Sequence, residues 1–306
     1  MSASVLYDVP GPKARRRNRL YSAVSALAFL GLIGFIIYRL DDTGQFQAGL
    51  WDDYQYANTQ DRIVEGLLTT LKTFALAAVL SLVLGVALAA GRLSDHRWVR
   101  WPTAVVVEFF RAMPLLIMIF LLYYAYFDTE PMWALVIGLA LYNGSVQSEI
   151  FRAGINAVPK GQGEAAYAIG LRKTQVMTSV LVPQAVRSML PSIISQLVVT
   201  LKDTSLGFII LYEELLYVGK AFAERTPPEN GVYAFIPMVI VFGSIYILLC
   251  LALSSLATWI ERSTQRSRKR SAAPARGAAA TAQATAAPGT DSTPGDASPP
   301  EPPKAD

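Results

Sequence analysis

A single cysteine, Cys250, and a single histidine, His96, hold all the thiol and imidazole chemistry of this 306-residue chain. That supply excludes a zinc cluster, a Cys/His nucleophile pair and an internal disulfide. The phosphate-binding pattern G-x-x-x-x-G-K-[ST] is absent, so the chain has no ATP site of that kind. Gly161-Gln162-Gly163-Glu164-Ala165-Ala166 fits the loose dinucleotide pattern G-x-G-x-x-A. That pattern has meaning only after a strand and with an acid about twenty residues on. An apolar span precedes it here, and no acid lies near position 186. The chemistry left is recognition by charged and amide side chains set in apolar runs: Glu108 and Arg111, then Asn143, Gln147 and Glu149, then Lys202, Asp203, Thr204 and Ser205. Such groups are too costly against lipid, so they must face other helices or an aqueous cavity. No catalytic residue, metal site or cofactor is expected.

The elements that position these residues are membrane spans. Hydrophobic residues make up 53% of the chain and charged ones only 16%, against the about 25% charged residues of soluble proteins. The fold expected is all-α and polytopic, with about six transmembrane helices. A basic segment, residues 1–19, precedes a first span over 20–40, read as uncleaved because no small-residue cleavage site follows before Arg39 and Asp41. An acidic, aromatic external loop covers 41–65. Further spans are expected over 66–90, 103–127, 132–150, 186–216 and 233–260. In the third, Glu108 and Arg111 can pair at i,i+3, and Pro114 bends or re-caps the helix. In the fifth, residues 202–205 suggest a discontinuous helix along a pathway. The tail, 261–306, is too poor in apolar residues to fold. Basic residues collect at both ends, around 91–101 and in the loop 151–185, which places these on the cytoplasmic side of a plasma membrane. Their position beside apolar runs argues against nucleic acid as a partner.

Within 151–185, Lys160 to Ala185 is the substantial polar interruption of the membrane part. Gly161 and Gly163 precede a short helix opened by Glu164, Ala165 and Ala166, with Glu164 favourable near the helix N-terminus. Gly170 stops it, Thr174 caps a second helix, and Pro183 closes that one. Such an elbow cannot bury itself, so it needs a membrane surface or a groove on another protein.

The spacing Glu164-Ala165-Ala166, Gly170 and Val180-Leu181-Val182-Pro183 resembles the EAA signature of ABC-importer permeases. Flanking stretches are similar to the polar amino-acid branch: Glu149 to Ile155, Pro159 to Gln162, Pro183 to Ala185 and Lys202 to Leu206. Val180 and Val182 stand where that family more often has Ile and Leu, apolar swaps of similar shape. The VLYDVPGP segment, the extra first span and Leu141 to Ser145 look like actinobacterial glutamate-uptake permeases. The resemblance implies a five-helix type I importer core, 66–260, behind an N-terminal span. It implies that Gly161, Glu164, Ala165, Ala166, Gly170 and Pro183 couple to a pair of ATPase subunits. It also implies a second permease subunit, identical or homologous, and an extracytoplasmic amino-acid-binding protein. The substrate would be a polar amino acid, foremost L-glutamate, passing Arg111, Asn143, Gln147 and residues 202–205. Arg111 or Lys202 would meet an acidic side chain. For Glu108 with Arg111, and for Lys202 with Asp203, mutual pairing stands beside that role; for Asn143, Gln147 and Glu149, interhelical hydrogen bonding does. An ion-driven secondary transporter would show paired broken helices in an internal repeat, and only one interrupted span is visible. A membrane scaffold would gain nothing from intramembrane polar residues.

Overall fold

The computed structural model describes residues 11–225, 231–256 and 258–259. The elements below lie in one of the chain's two units, residues 1–257. They are α1 (Pro12–Asp42), α2 (Ala57–Arg92), α3 (Arg97–Ala112), α4 (Leu115–Tyr126), α5 (Pro131–Asn156), α6 (Lys160–Ala168), α7 (Lys173–Ile210), α8 (Leu215–Arg225) and α9 (Phe235–Leu256). A 3₁₀ segment, Ala48–Gln55, lies between α1 and α2. No strand occurs among the described residues. The architecture is the all-α polytopic one expected. Helices α1, α2, α7 and α9 are long and apolar enough to cross a membrane, and α3 with α4 makes a fifth candidate if taken as one bent span. Helix α5, 26 residues long, has the length but carries amides and a carboxylate over its second half. The tail 261–306 and the Pro227-Pro228 stretch lie outside the described residues.

Small residues bring these helices together. In a bilayer, close backbone approach replaces the hydrophobic drive, so small side chains line the seams. Helix α2 buries Gly66, Thr70, Thr73, Ala77, Ser81, Gly85 and Ala89, a stripe at three- and four-residue steps. Helix α5 sits innermost, with Ala134 to Val136, Leu139, Asn143, Ser145, Gln147 and Ser148 buried. At the α2–α5 crossing a Cβ on Gly85 would lie 2.7 Å from the Gln147 Cβ and 3.2 Å from the Gly144 carbonyl oxygen. Because the obstacle includes backbone, Gly85→Ala is expected to cost about 1–3 kcal/mol by overpacking, read as a lower melting midpoint in detergent or nanodiscs. No side chain of α1 is buried. The link after it is held where Gln45 donates to the Tyr233 carbonyl (3.0 Å) and accepts from the Ile236 amide (3.3 Å).

Five features differ from those expected. The loop 41–65 ends early, because α2 starts at Ala57. The third span, 103–127, is not one helix: α3 and α4 meet at 98°. Met113 is extended (φ −73°, ψ 128°), as a residue before proline prefers, and Pro114 opens α4. Pro183 does not close the second elbow helix. A π-helical stretch, Val176–Leu181, precedes it and the helix continues to Asp203. The wider turn accommodates a residue that lacks an N–H and crowds the carbonyl four residues back. Beyond Asp203 the chain tightens to 3₁₀ over Thr204–Ile210 and ends at Leu211 with φ 60°. The interruption expected at 202–205 is therefore a change of helix type. Residues 217–225, left between the spans expected over 186–216 and 233–260, belong to α8.

Candidate functional site

The elbow begins one turn earlier than the sequence suggested. Pro159 caps α6, which already includes Gly161 and Gly163. Glu164 consequently lies beyond the first turn, where a helix dipole has little hold on it. Gly170 does end the helix, with φ +84°. Its amide bonds the Tyr167 carbonyl (2.9 Å) and that of Leu171 bonds Ala166 (3.2 Å), the paired bonds of a Schellman stop. Thr174 is not the cap of α7. The helix starts at Lys173, and the Gln175 side-chain Oε1 accepts the Arg172 amide at 2.9 Å. Gln184, beside Pro183, donates to the Val180 carbonyl (3.0 Å) and to Gln162 of α6 (3.4 Å).

Only Ala166 of α6 is turned inward, at 5% exposure. Ala165 and Glu164 are exposed, and Ile169 is 78% exposed beside a half-exposed Tyr167. A Cβ on Gly161, Gly163 or Gly170 would meet nothing within 4 Å. Glycine within a helix costs roughly 0.5–1 kcal/mol relative to alanine, and no internal contact of this chain asks for it at 161 or 163.

Charged residues tie the helices together at the elbow end, and one pair ties the elbow itself. Arg92 at the end of α2 reaches Glu149 of α5 (3.1 Å) and Glu108 of α3 (3.5 Å); Glu149 also holds Arg152 (2.8 Å), and Arg111 holds Glu108 (3.3 Å). Arg111 thus takes the self-neutralising role weighed for it. Glu149 makes an interhelical bond of the kind weighed for it, to Arg92 of α2, and Arg92 is the residue that joins α2 to both α5 and α3. A second tie joins Lys173, first residue of α7, to Asp95 in the α2–α3 turn. The Lys173 ammonium, through its hydrogen bond and charge, holds the exposed Asp95 carboxyl below the ordinary carboxylate range, aided by His96 and Arg100. A carboxylate with a lowered pKa contributes stability above its unfolded value, near about 3.9, and loses it as pH falls through the folded value. Lys173→Met is therefore expected to quicken elbow hydrogen exchange by the same factor at pH about 6 and about 8, after correction for intrinsic rates.

The path residues separate into two groups. Asn143 and Gln147 lie in the α5–α7 seam. Gln196 donates to the Asn143 side-chain oxygen (2.7 Å), Asn143 to the Leu139 carbonyl (3.0 Å), and Gln147 to the Ile193 carbonyl (3.5 Å). The Gln147 side-chain oxygen is buried with no hydrogen-bond partner among the described residues. At the far end of α7, Thr204 and Ser205 return their hydroxyls to the Leu201 and Lys202 carbonyls. Lys202 is exposed, and no ion pair within 4.0 Å joins it to Asp203 among the described residues.

One residue escaped the sequence reading. Glu214 is fully buried, accepting from Tyr246 Oη (2.6 Å) and from the Leu216 and Tyr217 amides (2.9 and 2.8 Å). It caps α8 while Thr70 accepts the Leu215 amide (3.0 Å) and Thr73 bonds Tyr212 (2.8 Å). The signal was an acidic pair, Glu213-Glu214, inside an apolar run, followed by a helix-forming stretch.

The described residues thus form an all-α bundle of apolar helices that presents an exposed, glycine-ended elbow. The chain belongs to the family of binding-protein-dependent transport system inner membrane components, whose model matches residues 55–266. It is 41% identical over 239 residues to the glutamate transport system permease protein GluD of Corynebacterium glutamicum, covering 76% of this chain and 85% of that one. It is 31% identical to the arginine transport system permease protein ArtQ of Bacillus subtilis over 205 residues, 65% of this chain and 91% of that one. A crystal structure of an amino acid ABC transporter with histidines superposes with a TM-score of 0.62 at 26% identity, covering 69% of this chain and 98% of that one. The chain is thus a non-enzymatic membrane subunit of the amino-acid ABC importer class, in which a separate subunit hydrolyses ATP. The family implies ATPase and substrate-binding partners.

Proposed function

We propose that this chain is a permease subunit of an ATP-driven L-glutamate importer in a bacterial plasma membrane, with both termini and the elbow in the cytoplasm. The observation that carries the coupling role is the elbow itself: a helix slimmed by glycines that nothing inside the chain requires, with Tyr167 and Ile169 exposed. Such a helix suits a cleft on an ATPase subunit. Gly161, Glu164, Ala165, Ala166 and Gly170 would lie in that contact, with Pro183 at its back. One elbow per chain calls for a second permease subunit and a pair of ATPases. Differential binding of the partners to two conformations would move the path. The core 66–260, with its five helices, would carry that path behind the added α1 span.

Glutamate rests on the 41% likeness to GluD and on the similarity to the glutamate/aspartate import permease protein GltK of Escherichia coli, 29% over 216 residues. Lys202, exposed just before α7 tightens to 3₁₀, is the candidate for a substrate carboxylate among the described path residues, since Arg111 is engaged by Glu108. Asn143 and Gln147 line the seam that must open for passage, with Asp203, Thr204 and Ser205 at its far end. The test is uptake of labelled glutamate by proteoliposomes holding this chain with its partner permease, ATPase and binding protein. Unlabelled glutamate should compete; competition by arginine, glutamine or cystine alone would assign another amino acid.

A further inference from the structure

Helix α3 carries the strongest separation of apolar and charged faces among the exposed elements. At 3.6 residues per turn, Trp98, Trp101, Val105 and Phe109 fall within roughly 80° of its circumference. Trp98 is 92% exposed and Trp101 73%, with Val105 and Phe109 exposed beside them. The buried Val107 lies opposite that face, toward the bundle, and Arg97, Arg100, Glu108 and Arg111 fall on one flank between the two.

Its orientation follows from its contacts. A Cβ on Gly91 would lie 2.7 Å from Thr103 Oγ1, and Arg92 pairs with Glu108. Five residues of α3 thus pass two consecutive residues of α2. Helices running side by side would advance together at about 1.5 Å per residue. Helix α3 instead lies across the end of α2, where the apolar run gives way to Gly91 and Arg92, and the 98° bend sends α4 into the bundle alongside α5. Set upright from the level of the Arg92–Glu108 pair, α3 would carry Trp98 about 15 Å and Trp101 about 10 Å beyond it, toward water.

We propose that α3 is a membrane-surface helix that seats its Trp98, Trp101, Val105 and Phe109 face in the bilayer leaflet on the elbow side and takes anionic phospholipid headgroups on Arg97 and Arg100. Charge decides the occupant. The N-terminal half of α3 is basic and without an acid, as an anionic lipid surface requires, and its apolar face continues the lipid-facing surface of α4, where Ile117 and Leu121 are exposed. The Arg92–Glu108 pair ties this helix to α2, where Arg92 also holds Glu149 of α5, and the Lys173–Asp95 pair ties the turn before it to α7, the second helix of the elbow. The leaflet thereby bears on the coupling region.

The test uses the full transporter with Cys250→Ser as background and single nitroxide-labelled cysteines at 98, 101, 105 and 109. Collision with oxygen and with an aqueous nickel chelate gives each label's depth. All four are expected at one depth, about 5–10 Å below the headgroups, whereas a label at 97 should meet the chelate. Depths that step by about 1.5 Å per residue from 98 to 109 would overturn the proposal in favour of an upright span. Labels shielded from both colliders would overturn it in favour of a protein partner. Adding phosphatidylglycerol to phosphatidylcholine vesicles should draw label 98 deeper in the parent and not in Arg97→Gln/Arg100→Gln. Equal depths in both would remove the headgroup assignment.

Discussion

Gly170→Val is expected to lower ATP-driven uptake by at least about tenfold while leaving membrane insertion intact. At φ +84° a β-branched side chain is a steric outlier, and a left-handed L-residue costs roughly 1–2 kcal/mol. No neighbouring atom would obstruct the side chain itself, so the penalty falls on the backbone. The chain escapes it by giving up the left-handed stop and the two bonds to Tyr167 and Ala166. Helix α6 then leaves at a different angle, and Tyr167 and Ile169 no longer point where a partner would meet them. Gly170→Asn is the control, since asparagine tolerates this conformation, and it should retain most of the activity. The two variants should be compared for uptake and for ATP hydrolysis by the assembled transporter. Equal activity of Val and Asn variants would show that the stop geometry plays no part in coupling.

Glu149→Ala should produce the largest loss of stability. Arg92 and Glu149 side chains are only 14% and 19% exposed, and removing the carboxylate leaves the guanidinium with Glu108 at 3.5 Å as its remaining acid. Breaking one member of a buried pair costs about 3–5 kcal/mol; residual exposure places this case near the lower end. Because Glu149 is held on α5, Arg92 on α2 and Glu108 on α3, the loss should loosen all three at the elbow end. The melting midpoint of purified protein measures it. Glu149→Gln, which keeps a side-chain oxygen for Arg92 and Arg152 to donate to, should lose less than Glu149→Ala. A change under about 1 kcal/mol, the ordinary worth of an exposed pair, would show that the network is only a surface feature.

The elbow was legible in the sequence because its determinants are local: Gly170 must sit where an ordinary side chain strains, and polar residues must leave an apolar run. Most spans were legible for the same reason. The course of α3 was not, since Val105 to Phe110 reads as apolar sequence continuing into Leu115. The apolar face separates from the charged one only on the helix circumference, and the level at which α3 lies is set by Gly91 and Arg92 of another helix. The roles of Glu149 and Glu214 were likewise hidden, because their partners come from 32 to 57 positions away. Pro183 misled, since proline ends most helices, whereas here a π-turn absorbs it.

The most direct test of ATP-coupled transport is labelled amino-acid uptake by proteoliposomes containing this chain and its partners, with ATP supplied and ion gradients collapsed by ionophores. An ATP-coupled permease keeps full uptake under ionophore and loses it without ATP. Uptake that survives ATP removal and follows an imposed ion gradient would contradict coupling through the elbow.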